Sequence, residues 1–305
     1  MTRITRICAA LVAGVLALSG CGITDSGGGG VVVTTDILGD ITRAVVGDTA
    51  PVTVLMPPGS DPHSFALSAQ DAAVLDDADL VVENGLGLEE GLARHVTAAA
   101  EAGVPKLSVG DRIDPLPYRS GDSAGTPDPH FWTDPQRVHR AVEVIRDEVL
   151  AAVPDIDAAA VRANADRYLT ELDALQRCMT DRFATVPPER RKLVTNHHVF
   201  GYLAERFDFE VVGAVIPGGT TLASPSAADL ADLAAAIRTT GVPAIFVDSA
   251  RPDRLAQALA EQAGVQVRIV GLYSESLTAP GAGAATYLEM MRANTTAMVT
   301  GLAPA

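Results

Sequence analysis

From Val31 onward, short runs of β-branched and aliphatic residues alternate with amphipathic stretches. Val31–Thr35, Val52–Met56, Leu80–Glu83 and Lys106–Val109 read as strands, and Ile37–Val46, Ser68–Ala78 and Leu88–Ala102 as helices, with Ser68 standing where an N-cap belongs. A Gly-, Pro-, Ser- and Asp-rich loop follows at Tyr118–Pro129. Pro135 then opens a helix at the position proline favours, and the pattern runs to about Val153, where Pro154 breaks it. Between Asp157 and Ala184 there is neither Pro nor Gly, and Val161, Ala165, Tyr168, Leu172, Leu175, Met179 and Phe183 recur at spacings of three and four. That spacing predicts one helix of about 28 residues, ~42 Å long. Alternation then resumes, with strands at Leu193–Thr195, Val211–Ile216, Ala244–Val247 and Val267–Leu272 and helices at Phe200–Phe207, Ser226–Thr239, Pro252–Ala263 and Ala284–Met298. Strands separated by helices pair in parallel through crossovers. The fold expected is therefore α/β, with two lobes of parallel sheet flanked by helices, over 31–154 and 188–305. One long rigid α-helix within 155–187 joins them.

The segment before Val31 belongs to neither lobe. Arg3 and Arg6 precede an apolar run from Ile7 to Leu18, shorter than the ~20 residues a spanning helix needs. The run ends in Leu18-Ser19-Gly20-Cys21, which resembles the lipobox of bacterial lipoproteins. That resemblance implies a signal peptide over 1–20, a lipid anchor on Cys21 and residence on the extracytoplasmic face of the cell membrane. Residues 21–30 end in four glycines and read as a flexible tether.

Composition narrows the function classes. The formal net charge is −15, which argues against nucleic acid as a partner. The same charge suits the attraction of cations and also serves solubility. Beyond Cys8 in the leader and Cys21, Cys178 stands alone, which excludes an internal disulfide and a thiolate metal cluster. Its place in a helical pattern reads as a small core residue.

Three of the six histidines fall at the carboxyl end of a strand or in a loop: His63 in Gly59-Ser60-Asp61-Pro62-His63, His130 ahead of Pro135, and His197 just after Leu193–Thr195. Ligands of parallel α/β sheets bind beyond the carboxyl ends of strands, and neutral imidazole is a common metal ligand. Two of these positions precede the long helix and one follows it, so a cleft between lobes could collect all three. Glu275 follows the last strand and would complete a set of three nitrogens and one oxygen, which zinc accepts at about 2.0–2.2 Å per bond. Asp61 and Asp134 are candidates for fixing an imidazole tautomer, or for helix caps; Glu83 and Asp248 are weaker candidates for the same task. Trp132 reads as packing behind His130, and Gly218-Gly219 as a turn at the cleft rim. His95 and His139 lie in helical segments among charged neighbours and read as ordinary helix residues.

Four ordered motifs carry a resemblance over Val31 to Leu302. They are Pro-His at 62–63, Asp-Pro-His-Phe-Trp-Thr-Asp-Pro at 128–135, Asn-His-His-Val-Phe-Gly-Tyr-Leu at 196–203 and Leu-Tyr-Ser-Glu-Ser-Leu at 272–277. Together they resemble the signature of zinc/manganese ABC-transporter substrate-binding proteins, the ZnuA/TroA-like family. The resemblance implies two lobes on one rigid helix, a divalent metal captured between them, and delivery to an ABC permease. It assigns His63 and His130 as the first two ligands. His197 matches the third, where zinc members usually carry histidine and manganese members glutamate, and Glu275 stands where many members have aspartate. His198 is a departure, a second adjacent imidazole that could compete with His197. The loop Tyr118–Pro129 lacks the His-rich tract of some zinc members.

The function expected is that of a monomeric, lipid-anchored binding protein, not an enzyme, with Zn2+ as cargo and Mn2+ as the alternative. A surface metallohydrolase is the distant alternative; no His-Glu-x-x-His stretch or nucleophile elbow supports it. A stiff connecting helix implies a small tilt on metal binding instead of wide jaw closure.

Overall fold

The structure is a computed structural model that describes residues 29–250 and 253–304. The leader, Cys21 and most of the tether lie outside the described residues. The first half runs β1 (Val31–Val33), α1 (Asp36–Val46), β2 (Val52–Val54), α2 (Ala69–Asp76), β3 (Leu80–Glu83), α3 (Ala93–Glu101) and β4 (Lys106–Ser108). Then come α4 (Pro135–Ala152) and α5 (Ala158–Ala184). The second half runs β5 (Lys192–Thr195), α6 (Gly201–Phe207), β6 (Glu210–Ala214), α7 (Ala227–Thr240), β7 (Ala244–Asp248), α8 (Arg254–Ala263), β8 (Arg268–Leu272) and α9 (Tyr287–Leu302).

Each half holds a four-stranded parallel sheet, ordered β2-β1-β3-β4 in the first and β6-β5-β7-β8 in the second. In each order the second and third strands send their connections to opposite sides, which opens a crevice at their carboxyl ends. The strands are short and largely β-branched, and β1 and most of β3 are buried. The helix starts carry their own chemistry. Ser68 with Asp71 and Ser226 with Asp229 form capping boxes on α2 and α7, and Asp134 caps α4 just before Pro135.

The helix α5 spans 27 residues, about 40 Å at 1.5 Å per residue. Asp157 caps it by accepting the N–H groups of Ala159 and Ala160. The stripe of seven apolar residues read from the sequence is buried along its whole length, and it packs on α1, α4 and α9. One apolar core runs unbroken from Val31 through this stripe to Leu302, taking in residues of both sheets. The two halves therefore share an interior.

Two expectations are corrected. Cys178 is exposed, on the solvent face of α5 beside the buried Met179, and is no core residue. The third helix begins at Ala93, five residues after Leu88, because Gly85 and Gly87 take left-handed backbone (φ of 77° and 82°) and the chain turns there first. Among the described residues no helix is long and apolar enough to cross a membrane.

Candidate metal centre

The connections after β2 and β5, the segment ahead of α4 and the connection after β8 converge between the two sheets. They carry His63, His197, His130 and Glu275 respectively. Each offers one donor atom, and the four donors lie within 4.8 Å of one another. His63 Nε2 is 3.3 Å from His130 Nε2, His197 Nε2 is 3.0 Å from Glu275 Oε1, and Glu275 lies 3.7 and 3.9 Å from His63 and His130. A tetrahedron with bonds of 2.0–2.2 Å has edges of about 3.4 Å, inside this range.

Burial makes the cluster chemically specific. Exposure of the four residues is 0–3%, yet Nδ1 of His63, both ring nitrogens of His197 and both oxygens of Glu275 have no aligned hydrogen-bond partner. Buried polar atoms are normally paired. Three of these, His197 Nε2 and the two Glu275 oxygens, belong to the donor cluster; with each neutral imidazole offering one lone pair and the carboxylate its oxygens, the set fits a cation. Burial also presses the pKa of His63 down to about 3, against the pull of Glu275, so its ring is neutral. Burial acts on His130 in the same sense, but the Asp128 carboxylate outweighs it and raises that pKa.

The support around each donor differs. Asp128 Oδ1 lies 2.7 Å from His130 Nδ1 and accepts the His130 backbone N–H at 2.9 Å, which leaves Nε2 aimed at the cluster. The Tyr118 hydroxyl sits 3.3 Å from the same Nδ1 and donates to Gly219 O at 3.1 Å. A Cβ on Gly219 would lie 2.1 Å from that hydroxyl, so only glycine permits the approach. The Tyr202 hydroxyl donates to Asp128 O at 2.8 Å. Trp132 lies edge-on to His130, ring centroids 5.2 Å apart, and its indole N–H donates to Ser274 O at 3.0 Å across the cleft. Its role exceeds the packing expected of it. The Thr195 hydroxyl donates to His197 O at 2.6 Å, fixing the turn after β5.

The structure brings together all four residues singled out as donors and redistributes the supporting ones. Asp61 accepts the His63 backbone N–H at 3.0 Å and the Thr221 hydroxyl at 2.6 Å, so it holds the loop that carries His63. Asp134 does not touch an imidazole. Its place ahead of Pro135 aims it at the first turn of α4, where it accepts the Gln136 N–H and pairs with Arg206 through two contacts of 3.0 Å. The ring of His198 lies beside Gly121, outside the cluster. Glu83 binds Lys106 and Ser108 away from the site. Asp248 accepts the N–H and hydroxyl of Ser274, next to Glu275. His95 and His139 are half-buried on α3 and α4.

Three acids escaped the sequence reading. The partner of His130 is Asp128, and an Asp two residues before a histidine, folding back on its N–H, was the available signal. Asp36 accepts from Ser276 and Leu277 across the cleft. Glu89 is buried and accepts the Thr34 hydroxyl at 2.6 Å and the N–H groups of Asn84 and Gly85 at 2.7 and 3.1 Å. The Asn84 side chain in turn donates to Pro129 O at 3.0 Å, bracing the chain just before His130.

Two depressions border the cluster. One of about 600 Å³ is lined by Asp61, Asp248, Tyr273 and Glu275; the other, about 370 Å³, is lined by Tyr118, Asp128, His198 and Phe200.

Comparison with known proteins places these features in a lineage. The model of the ZnuA family, described as zinc-uptake complex component A, periplasmic, matches residues 31–301. The manganese-binding lipoprotein MntA of Halalkalibacterium halodurans is 32% identical, over 97% of this chain and 99% of its own. The zinc-binding protein TroA of Treponema pallidum is 32% identical over 90% of this chain and 88% of its own. Its solved structure superposes with a TM-score of 0.81 at 30% identity, covering 90% of this chain and 99% of that one. The manganese-bound periplasmic metal-binding protein of Candidatus Liberibacter asiaticus gives a TM-score of 0.79 at 30% identity, covering 90% of this chain and all of that one.

Proposed function

Because the chain belongs to the ZnuA family, the periplasmic A components of zinc-uptake complexes, we propose that it captures a divalent transition metal between its two halves and delivers it to an ABC import permease. The ligands in this reading are His63, His130, His197 and Glu275. The observation that carries it is the buried cluster of three imidazoles and one carboxylate whose donor atoms lie within 4.8 Å of one another, His197 Nε2 and both Glu275 oxygens being without aligned hydrogen-bond partners. Four protein donors close a tetrahedral sphere, which suits holding an ion; catalytic zinc keeps one position open for water. The relatives, one named for manganese and one for zinc, support a transport cargo and give no support to a metallohydrolase.

Zinc is the cargo in this reading. Three imidazoles and one carboxylate form a nitrogen-rich set, manganese prefers oxygen, and the affinity order of divalent metals favours zinc at such donors. A lipid on Cys21 would keep the protein at the extracytoplasmic membrane face, as a monomer beside its permease. The shared core and the buried stripe of α5 support a small tilt on metal binding.

The test is a competition titration of purified, metal-stripped protein with zinc and manganese against a chromophoric chelator, alongside a His63→Ala/His197→Ala double variant. Zinc bound at one equivalent, displacing manganese and lost in the double variant, is the expected result. Manganese held as tightly as zinc would overturn the choice of metal. Zinc retained by the double variant would overturn the site.

A further inference from the structure

Glu275 belongs to the second half by sequence, but the residues that follow it are held by the first. The side chain of Asp36, in the first turn of α1, accepts the Ser276 hydroxyl and, at 2.8 Å, the Leu277 N–H, both on Oδ2. The Gly59 N–H, in the loop leading to His63, donates to Ser276 Oγ at 2.7 Å and to Leu277 O at 3.1 Å. On the near side of Glu275, Trp132 of the first half holds Ser274 O, while Asp248 anchors the same residue to its own half. Asp36 is 5% exposed and Ser276 7%, so these bonds form away from bulk water.

A carboxylate that faces a metal must be aimed, because its chain is flexible and its solvation is lost on burial. At Glu275 neither oxygen is held by a group outside the donor cluster; Oε1 lies 3.0 Å from His197 Nε2, itself one of the clustered atoms. Its direction is left to the backbone of Ser274–Leu277, and two of the bonds fixing that backbone end on Asp36. We propose that Asp36 is a positioning residue for Glu275. By gripping Ser276 and Leu277 it sets, from the first half, the donor that the second half contributes through its last connection. The inference rests on the metal-capture reading and adds to it a residue that touches no ion. Under it, His63, His130 and the seat of Glu275 move as one group, and His197 approaches from the other side.

The test uses the full chain and zinc in competition with a chromophoric chelator, with dissociation followed after rapid mixing with excess chelator. Asp36→Ala is expected to weaken zinc binding about tenfold to a hundredfold, as losses of outer partners at metal sites do, through faster dissociation. Asp36→Asn is expected to restore most of that loss, since its amide oxygen can accept both hydrogen bonds. If Asp36 acts through Glu275, Asp36→Ala must cost less than about twofold in a Glu275→Gln background, because effects carried by one contact do not add. Parental affinity in Asp36→Ala, or equal losses in both backgrounds, would overturn the proposal. Should Asp36→Ala fail to fold, Ser276→Ala serves in its place; it removes one of the two bonds, and unchanged zinc dissociation there would overturn the proposal equally. A parent protein that binds neither zinc nor manganese would overturn the capture reading itself, a result told apart from the others by needing no variant.

Discussion

Asp128 Oδ1 is 2.7 Å from Nδ1 of His130, and the carboxylate raises the pKa of the imidazole it orients. His63, 3.3 Å away and without such a partner, is held neutral down to about pH 3 by burial. The two rings therefore compete for protons very differently. In the proposed site metal binding requires both to be deprotonated, so His130, its pKa raised, is expected to set the acid limit of binding ahead of His63.

Replacing Asp128 by Asn removes the charge that favours the imidazolium. The acid loss of zinc affinity is then expected to begin at lower pH than in the parent. At neutral pH the affinity itself drops about tenfold because the ring is less firmly oriented. Zinc titrations across about pH 5 to 8 separate the two effects. A variant whose pH profile overlays that of the parent would show that Asp128 does not tune His130.

His197→Glu changes the donor set from three nitrogens and one oxygen to a more oxygen-rich one, at the position 3.0 Å from Glu275. The zinc-over-manganese ratio is expected to fall by about tenfold or more, since manganese favours oxygen donors. Competition titrations of the variant measure that ratio directly, and an unchanged ratio would place metal choice elsewhere in the site.

Gly219→Ala puts a methyl group 2.1 Å from the Tyr118 hydroxyl and 2.3 Å from its ring carbon. The ring is pinned between Gly219 O and His130, so the rim loop or the tyrosine must shift. Overpacking of this kind costs about 1–3 kcal/mol. Thermal unfolding should register that loss, and zinc dissociation should accelerate as the Tyr118 contact to His130 opens. Parental unfolding and parental dissociation together would mean that the loop yields freely.

Glu89 carries a pKa raised to about 7 by complete burial, against the hydrogen bonds from Thr34, Asn84 and Gly85. Between its ordinary value and about 7 the folded protein binds the extra proton. The group's contribution to stability is therefore full at acid pH and lost as pH rises through 7. Glu89→Gln is neutral throughout and should flatten this part of the profile for the metal-free protein. Chemical denaturation of parent and variant at several pH values reads the difference, and parallel profiles would contradict the burial-driven shift.

Periodicity exposed the architecture because the elements it marks are long or strictly patterned. The seven apolar residues of α5 form the buried stripe that the spacing demanded, and strand–helix alternation produced two parallel sheets. Boundaries were less legible: α3 starts late because Gly85 and Gly87 favour a turn that the apolar Leu88 and Leu92 conceal. Cys178 looked apolar enough for the core, but one position before Met179 on a helix points it to solvent. The clustering of His63, His130, His197 and Glu275 was readable because strand ends are where parallel sheets place ligands. Their supporters were not, because Asp36 and Glu89 look in sequence like the acids that decorate helix starts. Only tertiary packing buries them, and only the fold reveals that Asp134 faces Arg206 while Asp128 faces His130.

The unbroken apolar interior that threads both sheets and α5 couples the melting of the two halves. Heat is expected to open both sheets together, because the shared cluster draws its walls from each. A fragment cut after α5 would expose the flank on which α9 rests, and neither piece would hold its shape alone. Calorimetry of the intact chain is expected to show one endotherm, and a metal ion held where the halves meet is expected to raise its temperature as a whole.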